Sequence, residues 1–281
     1  MHPDIVYFSM FSGIGGFDLA LRNLGAKCIG HAEIDPKAIA VYNHQFGEQV
    51  NNYGDVSNID SNCLEQFDLL VGGFPCQTFS HAGKREGFND IRGTLFYEVA
   101  RLLEAQQPRH ILLENVKGLA SHEKGQTLAR MLTILGELGY QYQCGVLNSR
   151  YYGVPQGRER IFIAGYLGSY GRPQVFPIPQ SNCQHAPEEE DKRREKERIQ
   201  RQNICSTLDA NYWKGPGSGR QLIKTKEGHL RRLTPLECER VMGFPDGWTK
   251  INGLADTHRY RLLGNAVVPN VAQEVLERMF V

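Results

Sequence analysis

The chain has 281 residues, enough for one large domain and a smaller one. Lys plus Arg number 32 and Asp plus Glu 31, so the net charge of +1 gives no bulk attraction to nucleic acid or to a membrane. At 41% hydrophobic and 22% charged residues, with no apolar run near the roughly eighteen residues of a span, the composition excludes disordered, fibrous and membrane-spanning chains. The opening Met-His-Pro-Asp has no basic stretch of the secretory kind, so a reducing, cytoplasmic location is expected. Seven cysteines, at positions 28, 63, 76, 144, 183, 205 and 238, form no C-x-x-C pair, which argues against a disulfide framework and against a zinc site.

In chain order, residues 5–11 read as a buried strand, a glycine cluster follows, and Phe17, Ala20, Leu21 and Leu24 recur at the spacing of one helix face. Residues 27–34, 68–73 and 110–115 are further apolar strands, separated by helical stretches such as 95–104 and 126–138. This alternation predicts an α/β fold with a doubly wound, mostly parallel sheet. Two late strands, 140–147 and 160–166, complete it, and then the composition changes. Between residues 167 and 232 there are 13 Lys or Arg against 8 Asp or Glu, a local +5. The run 188–201 is almost wholly charged and reads as a solvated helix or linker. Thr234, Pro235, Glu237 and Gly243 then mark the cap, first turn and end of a short helix, and an amphipathic helix with Val271, Val275, Leu276 and Met279 closes the chain.

The first strand ends in Phe11-Ser-Gly-Ile-Gly-Gly-Phe17, where Gly13, Gly15 and Gly16 let a ligand lie against the backbone, although any tight strand-to-helix turn also needs glycine. Asp18 stands where a dinucleotide fingerprint has its third glycine, which favours a nucleoside without a pyrophosphate. Glu33, at the end of the second strand, can accept ribose hydroxyls. Cys76 follows Pro75 at the carboxyl end of the 68–73 strand, a place poor for core packing and good for presenting a nucleophile. Behind it, Gly83, Gly87 and Gly93 interleave with Lys84, Arg85 and Arg92 in a loop that suits a lid. Glu114 ends another strand on the same sheet edge. Gln156, Arg158 and Arg160 alternate, so on an extended chain they share one side and suit an anionic or carboxylate partner.

The succession Phe11-Ser-Gly-Ile-Gly-Gly, Pro75-Cys76-Gln77, Glu114-Asn115-Val116, Gln156-Gly-Arg158-Glu-Arg160, Arg232-Leu-Thr-Pro-Leu-Glu-Cys-Glu-Arg240 and Gly264-Asn-Ala-Val-Val-Pro269 resembles the ordered motifs of the cytosine-5 DNA methyltransferases. The resemblance spans about residues 5–166 and 231–276. It implies a Rossmann-like methyltransferase domain of residues 1–166 plus 260–281, with residues 167–259 as a small target-recognition domain. The implied reaction flips a cytosine out of double-stranded DNA and methylates its carbon 5 through a covalent adduct with Cys76, with Glu114, Arg158 and Arg160 as the other catalytic residues. Glu114 would bind N3 and the exocyclic amine, and Arg158 the base carbonyl. The methyl donor would be S-adenosylmethionine, held by Phe11, Gly13, Gly15, Gly16, Glu33, Ile34, Asp55, Pro75 and Asn265, with no metal. Gln77, Ser80, Arg92, Gln156, Lys214 and Arg220 would contact DNA, while Tyr212 and Trp213 either contact bases or fill the small core. A cognate restriction endonuclease acting on the same site is an implied partner, and no membrane is. A transfer RNA methyltransferase shares the catalytic motifs, but the Cys-Phe-Thr tripeptide of that branch is absent. The variable region, about 65 residues, is short for the family and predicts a recognition sequence of about two to five base pairs.

Overall fold

In the computed structural model the described residues are 5–75, 95–168, 173–178, 205–214, 222–224 and 228–280. Cys76, Gln77, Ser80, Arg92, Arg220 and the charged run 188–201 lie outside them.

Six strands form the central sheet: β1 (Val6–Met10), β2 (Lys27–Ala32), β3 (Leu69–Gly73), β4 (His110–Val116), β5 (Tyr140–Asn148) and, after the two-residue β6 (Gln156–Gly157), β7 (Glu159–Leu167). Their spatial order is β2-β1-β3-β4-β7-β5, with β2, β1, β3 and β4 parallel and β7 antiparallel to both of its neighbours. The sheet is therefore mostly parallel, with chain reversal confined to the late hairpin of β5 and β7. Side chains alternate between the faces, as the twofold strand period requires. Tyr7, Leu69, Val71, Leu112, Phe162 and Ala164 fall in one apolar cluster, and Phe8, Leu70, Ile111, Leu113, Ile161 and Ile163 in the other. The first cluster is closed by α1 (Gly16–Asn23), α2 (Pro36–Phe46) and the chain's last helix, and the second by α3 (Leu95–Gln106) and α4 (Gln126–Glu137). Strands buried on both faces read as unbroken apolar runs, which is why they stand out in the sequence.

Local chemistry sets the ends of these elements. Phe11, in the left-handed region at φ 53°, terminates β1. Asp35 accepts a hydrogen bond from Lys37 N ahead of Pro36, a cap and first-turn proline that start α2. Thr234 and Glu237 exchange the reciprocal bonds of a capping box at the start of α5 (Pro235–Val241). Two further helices, α6 (Asp256–Asn265) and α7 (Pro269–Met279), bring the C-terminus back onto α1. Gly16 has a specific reason to be glycine, because a Cβ there would overlap the Val267 carbonyl oxygen just before α7.

Described residues on the two sides of residue 259 pack against each other and against the first helices. Trp248, 2% exposed, donates from its indole to Ile14 O at 2.9 Å, and Gln45 Nε2 donates to Trp248 O at 2.7 Å. Leu233, Cys238 and Met242 belong to the same apolar cluster as α1 and α7. Buried Glu239 accepts from Gly247 N, Thr249 N and Arg259 Nη2, tying the loop after α5 to α6. Leu233, Cys238, Met242 and Trp248 thus share an apolar cluster with α1 and α7.

Among the described residues no helix is long and apolar enough to cross a membrane.

Candidate active site

The carboxyl ends of β1, β2, β3 and β4 share one edge of the sheet, and a cavity of about 520 Å³ opens there. Phe11, Gly13, Glu33, Ile34, Asp55, Pro75, Glu114, Arg158, Arg160 and Asn265 all line it, although they span most of the chain. Gly15 and Gly16 stand behind the wall, at the N-terminus of α1.

At the β1–β2 end the cavity is made by main chain. Ser12 N donates to Ala32 O at 3.1 Å and Gly13 N to Glu33 Oε2 at 2.9 Å, so the tip of β2 holds the glycine turn. Glu33 Oε1 also accepts from Ile34 N and Asp35 N, both at 2.8 Å. These bonds fix the carboxylate with its second oxygen toward the turn. Gly13 has φ 56°, and a Cβ there would meet nothing within 4 Å, so the space beside it is open. Ile34 is 69% exposed, an apolar side chain at the rim of a cavity. Asp55 accepts from Ser57 N and Ser57 Oγ, hydrogen bonds that hold its carboxyl below the usual carboxylate range.

The β4–β7 end carries buried charge. Glu114 pairs across the ladder with Phe162, and Arg160 with Val116, so Glu114 and Arg160 are diagonal neighbours on one face. Arg160 Nε lies 3.0 Å from Glu114 Oε1, with the two side chains 18% and 10% exposed. Burial raises the Glu114 carboxyl above its ordinary range, against the pull of the Arg160 and Arg158 charges. Asn115 Nδ2 donates to Phe74 O at 2.9 Å, which anchors the chain leaving β3 two residues before Cys76. Cys76 itself is outside the described residues, but it is peptide-bonded to the cavity-lining Pro75.

The structure gives the alternating triplet three different surroundings. Arg158, 3% exposed, spends its terminal nitrogens on main-chain carbonyls: Nη1 on Leu208 O at 2.8 Å, and Nη2 on Gly264 O at 3.1 Å and Ala266 O at 2.9 Å. Those bonds clamp three distant segments. Burial and the neighbouring Arg160 lower Arg158 to about 9, so it stays charged at neutral pH. Gln156 is fully buried, not at a nucleic acid surface. Its amide donates to Val241 O and Met242 Sδ, and its oxygen accepts from Leu208 N. Alternation put these side chains on one side, but that side meets the chain's own backbone.

Elsewhere, Tyr212 is 3% exposed and its hydroxyl accepts from Leu233 N at 2.9 Å, a core position, whereas Trp213 is 39% exposed. Lys214 is at the surface, its ammonium 5.5 Å from the Trp213 ring centre. Arg231 is paired with Glu237 at 2.7 Å, which offsets its charge. Among the described residues no group of three or more His, Cys, Asp or Glu side chains could hold a metal ion. Sequence reasoning missed the anchoring role of Asn115, whose only signal was its place beside Glu114.

The family model for C-5 cytosine-specific DNA methylase matches residues 5–209 and 184–281. Curated relatives include the type II methyltransferase M.HhaI of Haemophilus parahaemolyticus, 33% identical over 306 residues, covering 96% of this chain and 92% of that protein. The type II methyltransferase M.HpaII of Haemophilus parainfluenzae is 34% identical over 331 residues, covering 99% and 91%. Among solved structures, a mutant of Spodoptera frugiperda DNMT2 superposes with a TM-score of 0.79 at 22% identity, covering 99% of this chain and 100% of that one, a likeness of fold.

Proposed function

As the chain belongs to the C-5 cytosine-specific DNA methylase family, we propose that it flips a cytosine from duplex DNA into the cavity and methylates carbon 5 through a covalent Cys76 adduct. The enzyme class, a DNA cytosine-5 methyltransferase, follows from that membership. The observation that carries the mechanism is a buried carboxyl of raised pKa, Glu114, held by Arg160 in the same cavity as the glycine turn.

Carbon 5 of cytosine is a poor nucleophile until carbon 6 has been attacked. In the proposed reaction the Cys76 thiolate bonds to carbon 6, and electron density moves through the ring to N3, where Glu114 delivers a proton. A carboxyl whose pKa is raised by burial keeps that proton closer to neutral pH, as a general acid requires. Arg160 orients Glu114 and, in place of Arg158, is the guanidinium proposed for the base carbonyl. The positive charges of Arg158 and Arg160 also favour the thiolate. After methylation a base removes the carbon 5 proton, the sulfur–carbon 6 bond breaks to regenerate the thiolate, and Glu114 takes back the proton from N3. Carbon 6 is stacked inside a duplex, so the base must first leave the stack at a cost of a few kcal/mol.

The residues at the β1–β2 end fit S-adenosylmethionine, which when bound supplies the electrophilic methyl group. Gly13 leaves room beside the turn, Glu33 presents an oxygen for ribose hydroxyls, and exposed Ile34 offers an apolar cover for a flat base. Asp55 and Asn265 line the same space. Residues 167–232 are read as the target-recognition region, with Lys214 and Arg220 toward DNA, and the enzyme as one half of a restriction-modification pair.

Expression in a host without cytosine methylation, followed by genome-wide detection of 5-methylcytosine, yields the target sequence. Duplex carrying 5-fluorocytosine at that target should then be trapped in a denaturant-resistant adduct with the wild type and S-adenosylmethionine, and not with Cys76→Ala. An active enzyme that forms no adduct would sink the covalent mechanism.

A further inference from the structure

Beneath the glycine turn lies a fully buried imidazole that the proposed reaction does not use. His31, 0% exposed, sits on β2 just before Ala32 and Glu33, the two residues whose oxygens hold the turn. Its Nδ1 lies 2.8 Å from Ser12 Oγ. Three consecutive residues therefore grip Ser12 and Gly13, each by a different group: an imidazole, a main-chain carbonyl and a carboxylate. The turn needs such a grip because Phe11, a non-glycine residue, is held at φ 53°, a conformation that persists only where its surroundings enforce it.

The imidazole is itself fixed. Its ring stacks on Tyr42 at 3.8 Å between centres and 16° between planes. Tyr42 OH donates to Asp18 Oδ1 at 2.8 Å, and Ser9 Oγ donates to Asp18 Oδ2 at 2.9 Å. Asp18 lies two residues beyond Gly16 in α1, so this network fastens the turn's far side as well. His31 N also donates to Asn51 O, and its carbonyl accepts from Tyr53 N. We infer that His31 is a positioning residue for the methyl-donor site: through Ser12 it holds the glycine turn in the form that receives the donor. This rests on reading the β1–β2 end of the cavity as that site. Burial keeps the imidazole neutral, lowering it to about 4, in a setting that also contains Asp18, Tyr42, Tyr7 and Cys28.

A histidine that merely fills the core would be replaced best by a ring, whereas a histidine that holds Ser12 would be replaced best by an amide. The test therefore compares His31→Phe, which keeps the stack, with His31→Asn, which keeps a polar group near the Nδ1 position, and adds Ser12→Ala and the Ser12→Ala/His31→Phe double variant. Binding of S-adenosylhomocysteine is measured by calorimetry, alongside kcat at saturating donor. His31→Phe and Ser12→Ala should each weaken binding about tenfold, the loss of one buried hydrogen bond. The double variant should be no worse than either, and His31→Asn should bind within about twofold of wild type. In all four, kcat should change less than about twofold. Wild-type binding by His31→Phe and Ser12→Ala, or independent losses that multiply in the double variant, would overturn the inference. Should His31→Phe fail to fold, Ser12→Ala alone decides: unchanged binding overturns the inference and a tenfold loss supports it. A wild-type protein that does not bind S-adenosylhomocysteine overturns the donor-site reading, and this inference with it.

Discussion

At the β1–β2 end the cavity is lined by a glycine, an exposed isoleucine and two carboxylates, Glu33 and Asp55, whose oxygens already accept hydrogen bonds from their own surroundings. At the β4–β7 end they are a carboxyl and a guanidinium, Glu114 and Arg160, buried together beside Arg158. The first end offers shape and hydrogen bonds that are already formed. The second keeps charge out of water, which shifts its pKa values and leaves it dependent on every partner staying in place. Substitutions at the first end should therefore act on affinity, and those at the second on rate or on folding.

The sharpest separation is expected for Cys76→Ala, which should lower turnover more than about a thousandfold while S-adenosylhomocysteine still binds, read by single-turnover kinetics and calorimetry. Parallel loss of donor affinity would show that the two ends are not independent. Arg158→Leu should cost about 3–5 kcal/mol of stability in denaturant unfolding, because it strands the carbonyls of Leu208, Gly264 and Ala266 in the interior. A stable Arg158→Leu enzyme with only a kinetic defect would return that arginine to the chemistry. Glu114→Gln should lower kcat about a hundredfold or more with the donor KM unchanged, since the amide cannot deliver the proton to N3.

A smaller effect, about 3 kcal/mol for either group, should appear in the pH dependence of stability beneath the glycine turn. Burial lowers His31 from 6.5 to about 4, so the unfolded chain takes up that proton first and stability falls as the pH drops from 6.5 toward 4. Burial raises Asp18 from 3.8 to about 6 even though Tyr42 and Ser9 oppose the shift, so its contribution is lost as the pH rises from 3.8 toward 6. The two slopes oppose each other in nearly the same window. Relative to wild type, Asp18→Asn should lose stability more steeply toward acid, and His31→Phe should lose it more steeply from pH 4 toward 6. Unfolding curves collected across that window would reject the pairing if both variants ran parallel to wild type. The smallest change is expected for Ile34→Ser, a three- to tenfold rise in donor KM from about 1 kcal/mol of lost apolar cover, with kcat unaffected. A fall in kcat instead would mean that the donor end also tunes the chemistry.

The middle of the sheet was legible because β1, β3 and β4 are buried on both faces, and their largely apolar runs end in glycine or Glu114 along one edge. The capping box at Thr234 and the glycine turn could be read for the same kind of reason: each depends on neighbours within a few residues. The Asp35–Pro36 start of α2 carried an equally local signal.

The sequence by itself determined the order of the strands along the chain, the turn that leaves room for a ligand, and the residues at the sheet edge. Only the tertiary structure decided which of those residues face the cavity and which face the protein. Gln156, Arg158 and Arg160 have the same spacing, yet Gln156 is closed in by Leu208, Val241 and Met242, Arg158 is spent on three carbonyls, and Arg160 reaches Glu114. His31 and Ser12 meet across two parallel strands, and nothing in either local sequence announces the other. Periodicity reports the side of the backbone to which a group points. What stands there comes from segments between 19 and 108 residues away, and their approach is fixed by packing.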